Sequence, residues 1–520
     1  MTIPVTRTAS ATGTQTREAA FKSIITALES QLVLAMQYDP LKTTVVENTF
    51  QLLSTPALTG AKFGFNSQMY LAHLKAYLAS GGSVVCWGFP LAVPGTAKAA
   101  EGTITLTAVP TEAKTLVFYV CGNRFSVPVT VDDTPTTLAV KMVTVINAAN
   151  YIGFTATNLA GVITLVCTWE GASGNAGRLF VGPWKTDDAE IPAGVSAVVV
   201  QPTGGEGAED TTLAALWAGM LSSSEWRTDV VTPSATSTAM DDALAAIGLP
   251  DDGTNQGSGL WADMIYRPCT NWTASIQTNL TTIKAIGDGR RNDPNTVIVC
   301  SPDAMEFPFE IAAAVAGYVG RAANGNPAAA YKGASMSNVL RGALDLANDW
   351  TRDPANTNVN TALNAGLTTI KTDDNGNTTL GDVCSTWHPV GSTFPPFQFE
   401  VGKRKTWNIA LTLKNDKFQH QNGVIVESAE EASAQPQATD DDMEKARVVG
   451  LAEGWQRLGW VYNKAFSINN MKIAKSTTNP DRYNRSVPVL LSGNKRVASD
   501  TVLVDRNIEI ANSLVTVNVG

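Results

Sequence analysis

The sequence predicts a multidomain chain of mixed α/β and α+β class: a layered α/β core, a β-rich module inserted into it, and an extended strand at the C terminus. Three observations carry this. From "VSAVVV" to "FPFEIAAAVAGYVG", strand-like and helix-like runs alternate, the rhythm of a sheet covered by helices. Between about Ala97 and Val181 that rhythm gives way to alternating strands around one helix. The chain stops on "RNIEIANSLVTVNVG", where Ile508 and Ile510, then Val515, Val517 and Val519, alternate with polar neighbours as a half-buried strand does.

The first twenty residues are rich in Thr and Ala and read as an extended arm. "REAAFKSIITALESQLVLAMQ" then places apolar residues at helical spacing. A helix from about Gln68 to Leu78 and the strand "SVVCWGF" follow.

In the module, "GTITLTAV" and "KTLVFYVCGNRFSVPVTV" are strands, with Gly122-Asn123 as the tight hairpin turn. "TPTTLAVKMVTVINAAN" is a helix with Thr134 as N-cap and Pro135 at its first position. Leu138, Met142, Val145 and Ala149 share one face. "GFTATN" and "GVITLVCTW" close the module.

Beyond it, "VSAVVV" is read as a strand of the core, followed by the helices "DTTLAALWAGML" and "MDDALAAIGL". "WADMIYR" is read as a strand, "NWTASIQTNLTTIKAIG" as a helix, "NTVIVC" as a strand and "DAMEFPFEIAAAVAGYV" as a helix. "LTTIKTDDNGNTTLGD" is a hairpin turning at Asp374-Asn375-Gly376. The acidic, Pro-interrupted "ESAEEASAQPQATDDD" separates the sheet domain from a last helix, "DDMEKARVVGLAEGWQRLGWVYN". Asp441 or Asp442 is its N-cap, and Val448, Leu451, Trp455 and Leu458 form its apolar stripe.

The expected organisation is an N-terminal arm over 1–31, a discontinuous core over 32–96 and 182–426, the insertion over 97–181, an acidic linker over 427–442 and a C-terminal domain over 443–520.

The 520 residues allow two to four domains. With 44% hydrophobic and 16% charged residues the chain is globular and lightly charged. A net charge of -9 opposes a general grip on nucleic acid, which needs basic surface to displace counterions. The N-terminal stretch has no signal-peptide character, and "FPFEIAAAVAGYVG" is too short for a membrane span and carries Glu310. A soluble protein with no membrane insertion is expected. Cys86, Cys121, Cys167, Cys269, Cys300 and Cys384 are scattered, which suits reduced thiols in a core.

Catalytic and ligand motifs do not converge. "VVVQPTGGEGAEDTTLAALW" has the strand, Gly-rich turn and helix of a phosphate cradle. It lacks the Lys-Ser/Thr pair, and Glu206, Glu209 and Asp210 would repel phosphate. His73, His388 and His420 stand apart from one another and from any paired thiols, so no zinc set forms. "DDGTNQGSG" and "KTDDNGN" lack the terminal Glu of a calcium loop, and no G-x-S-x-G is present. No catalytic, metal or cofactor site is therefore expected, and an enzyme is the most distant reading.

Several stretches, taken in order, carry a resemblance. They are "LVLAMQYDPLKTTVVENTFQLLSTPALTGAKFGFNSQMYLAHLKAYL", the run from "EGTITL" through "INAANY" to "ITLVCTWEGASGNAG", and "PTGGEGAEDTTLAALW". "NTALNAGLTTIKTDDNGNTTL" and "INNMKIAKSTTNPDRYNRSVPVLLSGN" complete the set. Together, over about Leu32 to Val504, they resemble the contractile tail sheath family of the Mu-like phages. The N-terminal "MTIPVTRTASATGTQTREAAF" lacks the Pro-Gly-aromatic element common at that family's start.

The resemblance implies a virion component, assembled in the host cytoplasm, that stacks as hexameric rings around a tail tube. Its implied partners are further copies of itself, the tube protein, and baseplate and tail-terminator proteins. It also implies that chain ends add strands to neighbouring subunits, so that Ile508, Ile510, Val515, Val517 and Val519 would form an inter-subunit arm. Taken alone, the alternation would assign this strand to its own domain, because terminal strands commonly dock locally. Within the resemblance, Lys445, Arg447 and Arg457, on the polar side of helix 443–461, are candidates for touching the tube. An ordinary core-packed helix is the competing reading. A sheath from a phage-tail-like bacteriocin or secretion machine, and a virion adhesin suggested by the β-rich module, are the alternatives.

Overall fold

The structure, a computed structural model, describes residues 27–493 apart from positions 94, 186, 208, 210–212, 234–235, 253, 392–396, 421–422, 428–429, 431–437 and 479–482. The arm before residue 27 and the closing strand with Ile508, Ile510, Val515, Val517 and Val519 lie outside the described residues.

The chain begins with β1 (Gln31–Gln37), β2 (Gln51–Leu53), α1 (Pro56–Phe63), α2 (Gln68–Ser80) and β3 (Val85–Leu91). Here the helical reading of "QLVLAMQ" is corrected, because these residues form β1 in the interior of the main sheet. Leu32, Leu34 and Met36 pack on one face and Val33 and Ala35 on the other, all buried. A strand covered on both faces loses its polar alternation, and its apolar run then reads equally well as a helix.

The insertion follows from the carboxyl end of β3. It comprises β4 (Ala99–Leu106), β5 (Lys114–Val120), β6 (Asn123–Val129), α3 (Pro135–Ala148), β7 (Phe154–Leu159), β8 (Val162–Glu170), β9 (Leu179–Val181) and β10 (Ala197–Thr203). These make two antiparallel sheets, ordered β10-β4-β8-β7 and β6-β5-β9. The run "VSAVVV", read as a core strand, is β10 and pairs with β4 in the insertion, Ala197 opposite Leu106. Val198 and Val200 remain exposed there, as residues on the open face of an edge strand do. The β5–β6 turn is Cys121-Gly122, with φ of 46° and 73°, one residue earlier than expected, and Asn123 already pairs with Val120. Helix α3 starts as its sequence dictates: Thr134 caps it, a capping box closes with Thr137, and Leu138, Ala139, Met142 and Ile146 are buried.

The return comprises α4 (Leu213–Ser222), β11 (Asp229–Val231), α5 (Ser237–Ile247), β12 (Thr270–Ser275), α6 (Leu280–Gly289), β13 (Thr296–Cys300), α7 (Pro308–Gly325), α8 (Thr357–Asn364), β14 (Leu367–Thr372) and β15 (Thr378–Leu380). Two expectations change here. Trp261–Arg267 is not a strand; Gly259–Trp261 is a 3-10 turn whose indole donates to Asn295 Oδ1 at 2.8 Å and anchors the loop. "TNWTAS" is β12 rather than helix, buried along almost its whole length, and the helix starts only at Leu280, where Asn279 caps it.

The main sheet runs β15-β14-β13-β12-β11-β1-β3-β2, parallel except at its edge strands β2 and β15. Helices α2 and α7 cover one face, and α4 and α5 contribute to the cover of the other.

The C-terminal part holds α9 (Glu400–Gln419), β16 (Val424–Ile425), β17 (Ala438–Thr439), α10 (Asp441–Arg457), α11 (Lys464–Asn470), β18 (Lys472–Lys475) and β19 (Tyr483–Ser486). Asp440, not Asp441 or Asp442, is the N-cap of α10. Val448, Leu451 and Trp455 are buried as expected, whereas Leu458 lies past the helix end and is 39% exposed. All six cysteines are buried, unbridged thiols. Among the described residues no helix is long and apolar enough to cross a membrane.

Candidate assembly surfaces and the two ends of the sheet

Open α/β sheets bind ligands beyond the carboxyl ends of their strands, where strand order reverses. That point here is the end of β1, which has β3 on one side and β11 on the other. The insertion fills it. Gln37 Nε2 donates to the Glu170 carbonyl at 2.6 Å and to Glu209 Oε1 at 3.1 Å. Gln68 Nε2 reaches Ser173 Oγ at 2.8 Å and Glu209 Oε1 at 3.2 Å, and Ser173 Oγ itself donates to that carboxylate at 2.6 Å. Trp169 Nε1 donates to Ser173 Oγ at 2.9 Å.

Core residues Gln37 and Gln68 are thereby stitched to the insertion, directly at the Glu170 carbonyl and Ser173 Oγ and jointly with Ser173 at the buried Glu209 carboxylate, and bonds to a charged acceptor are the strong kind. Beside them the Trp169 ring lies 4.9 Å from that of Phe307 and 5.6 Å from that of Phe309, centroid to centroid, both edge-on. A cavity of about 370 Å³ remains alongside, and Arg178 is the charged residue in its lining, 3.8 Å from Asp303. The end of the sheet where a substrate would sit is a structural joint.

Gly171 marks how tight that joint is. Its φ is +128°, and a Cβ there would stand 2.5 Å from Glu209 Oε1. Gly171→Ala is expected to cost about 1–3 kcal/mol through backbone strain alone, visible as an earlier urea midpoint.

The amino end of the sheet is held by α9. Glu400, Lys403 and Arg404 are all buried against Ser30, Asp229 and Thr270, which stand at or just before the starts of β1, β11 and β12. Arg404 Nη2 pairs with Asp229 Oδ1, and its Nε donates to Glu400 Oε1 at 2.8 Å. Lys403 Nζ lies 2.7 Å from Glu400 Oε2 and donates to Thr270 Oγ1 at 3.0 Å. Trp272 Nε1 also donates to Asp229, at 2.7 Å. Two carboxylates and two cations cancel. Burial acts to raise the Glu400 pKa, but the charges of Lys403 and Arg404 outweigh it and hold the carboxyl below its usual range.

The far end of α9 enters a second ionic group. Arg485 on β19 pairs with Asp416 at 2.5 Å and with Glu444 on α10, and Arg447 Nη1 lies 2.6 Å from Glu444 Oε1. The structure therefore separates the three cations singled out on α10. The Arg447 side chain is 15% exposed and binds Glu444 of the same helix. Lys445 is half exposed, 3.7 Å from Asp442, and Arg457 is exposed. Nearby, β16–β17 and β18–β19 are two-stranded sheets among the described residues, with register over two and four residue pairs. Sheets this small are marginal alone and gain most from a further strand.

No protein-family profile matches the chain. Over 171 residues it is 26% identical to the Mu-like prophage FluMu tail sheath protein of Haemophilus influenzae. Over that stretch the chain is similar to a tail sheath protein. The match covers 33% of this chain, and the chain spans about a third (34%) of that sheath protein's length. Among solved structures, the sheath tail protein from Desulfitobacterium hafniense overlays with a TM-score of 0.46 at 11% identity, covering 87% of this chain and 91% of that one. The contracted PVC sheath complex of an extracellular contractile injection system overlays at 0.45 and 9% identity, covering 94% and 95%.

Sequence reasoning overlooked α9. In "EVGKRKTWNIALTLKNDKFQ" the residues Trp407, Ile409, Leu411 and Leu413 alternate as in a strand, while the charges read as a solvated face. The available signal was Glu400 with Lys403 and Arg404 at i+3 and i+4, the spacing of helical ion pairs.

Proposed function

We propose that this chain is a structural subunit of the contractile tail sheath of a phage or phage-like injection system, and not an enzyme. The observation that carries this reading is the sequence similarity to the FluMu tail sheath protein. Two further features support it. The insertion occupies the ligand end of the main sheet, and ionic clasps tie the C-terminal helices to the other end. A subunit welded in this way suits a lattice that changes by moving whole subunits past one another.

In this reading the subunit assembles in the host cytoplasm and works in the virion tail, stacked as hexameric rings around a tube, with baseplate and tail-terminator proteins at the ends. The strand with Ile508, Ile510, Val515, Val517 and Val519 adds to an open edge of a neighbour's β16–β17 or β18–β19 sheet. Contraction follows from two lattice packings that differ by a few kcal/mol per subunit, on the order of what cooperative two-state switching needs.

Negative-stain microscopy of the purified protein tests the proposal. Rings or tubes are expected; small oligomers that bind cells would instead support an adhesin. Lys445 and Arg457, the exposed cations of α10, are assigned to the tube-facing side, and Arg447 to the subunit's own fold. K445E/R457E is therefore expected to lower co-assembly with the tube protein at physiological salt while leaving the circular dichroism spectrum unchanged. R447E is expected to lower the melting temperature.

A further inference from the structure

The joint between insertion and core contains a feature that the sheath reading does not use. Residues 305–310, "MEFPFE", run along the seam. Met305 packs with Val117, Tyr119 and Trp184 of the insertion, and Phe307 and Phe309 pack with Trp169. Between these apolar anchors, Glu306 and Glu310 are buried as well. A cleft of about 560 Å³ opens beside both carboxylates, bounded by α2, the β5–β6 turn and the segment 337–341.

The two carboxylates are not equally provided for. Glu306 accepts the backbone N–H groups of Arg341 at 2.5 Å and Gly342 at 3.3 Å, and Lys75 stands 4.0 Å away. Glu310 accepts one N–H, from Phe307 at 3.1 Å, at the start of α7. The groups that face Glu310 are Glu306 from its own segment, Lys75 from α2, Cys121 and Arg124 from the insertion hairpin, Tyr151 beyond α3, and Arg341. Several of these are committed elsewhere: Arg124 to Asp187 at 2.7 Å, and Lys75 to the Val339 carbonyl at 2.8 Å. Two carboxylates thus share one nearby ammonium. Burial, above all, pushes Glu310 up to about 7, with Lys75 opposing the shift and Glu306 adding to it.

We infer that the insertion–core seam is a proton-dependent joint in which Glu310 holds a proton when the insertion is closely docked and releases it when the seam loosens. The seam tightens on acidification, because the docked state binds the proton that the open state gives up. The hairpin meets the carboxylate pair at Glu306, since a Cβ on Gly122 would stand 2.9 Å from Glu306 Oε1, and Gly122 and Glu310 line the same cleft.

The test is amide hydrogen exchange on the whole protein, corrected for intrinsic rates, from pH 5 to pH 8. Each pKa unit separating the docked and open states is a factor of about ten in the docking equilibrium. Protection of the β5–β6 hairpin and of residues 305–311 is therefore expected to fall at least about tenfold across that range. E310Q keeps the side-chain shape and can still cap the helix, and it is expected to fold and to give a flat profile. E306Q removes an acceptor used by two amides and is expected to lower protection at every pH while keeping the slope. A wild-type profile as flat as that of E310Q, or an unchanged slope in E310Q, overturns the inference. Neither outcome bears on the assembly reading, because the experiment follows the seam within a single subunit.

Discussion

Replacing Arg404 by methionine is expected to destabilise the subunit by about 3–5 kcal/mol, the range for leaving a buried charge without its partner. Arg404 joins Asp229, Glu400 and Ser30 in one place, and all of them are buried. Without it, Asp229 loses its ion-pair partner at the amino end of the sheet, while Lys403 stays paired with Glu400. Against a native stability of roughly 5–15 kcal/mol, that loss brings much of the protein near its unfolding midpoint. Tryptophan fluorescence in urea reads it directly, since Trp272 is buried and bonded to Asp229. Arg404→Lys keeps the charge but loses the planar fork, and it is expected to fall between the two. A midpoint for R404M equal to that of the wild type would mean that α9 is held by its apolar contacts, Trp407 above all, and that the ionic group adds nothing.

On the proposed sheath reading, truncation before Asn507 is expected to abolish tubes and leave the fold intact. Burying Val515, Val517 and Val519 contributes ~1.5–3 kcal/mol each, while ordering seven backbone residues costs ~1–2 kcal/mol apiece. The two nearly offset one another, so a single added strand binds weakly and the ladder hydrogen bonds decide the sign. In the sheath lattice proposed above, the same link would recur in every subunit and all copies would have to open together, which would turn a weak contact into a persistent lattice. The expected result is an unchanged circular dichroism spectrum with no rings or tubes by electron microscopy. Long tubes from the truncated chain would show that the arm is dispensable.

The insertion's strands, its capped helix and the parallel strands at β3 and β13 were legible because each carries a local signal: alternation, a Thr-Pro start, or a short apolar run between turns. Two of the readings that failed share a cause. β1 and β12 are covered on both faces, so their side chains show no period of two, and neighbouring helical residues absorbed them into helices. Helix α9 was overlooked for a different reason: its charges look solvated until their partners, 175 positions away for Asp229 and 130 to 133 for Thr270, are brought alongside.

Local chemistry along the chain was enough to indicate a layered α/β protein with a β-rich insertion and thiols in its interior. Which residues are structural was decided only by the folded arrangement. Arg447 reads as surface on its helix and is turned inward by Glu444, a carboxylate it shares with Arg485. Glu209 reads as a repellent beside a failed phosphate loop and becomes the shared acceptor that closes the sheet's open end. The physical reason is the same in both cases. A charge placed in a low-dielectric interior is governed by the partners folding delivers to it, and those partners come from elements far apart in sequence.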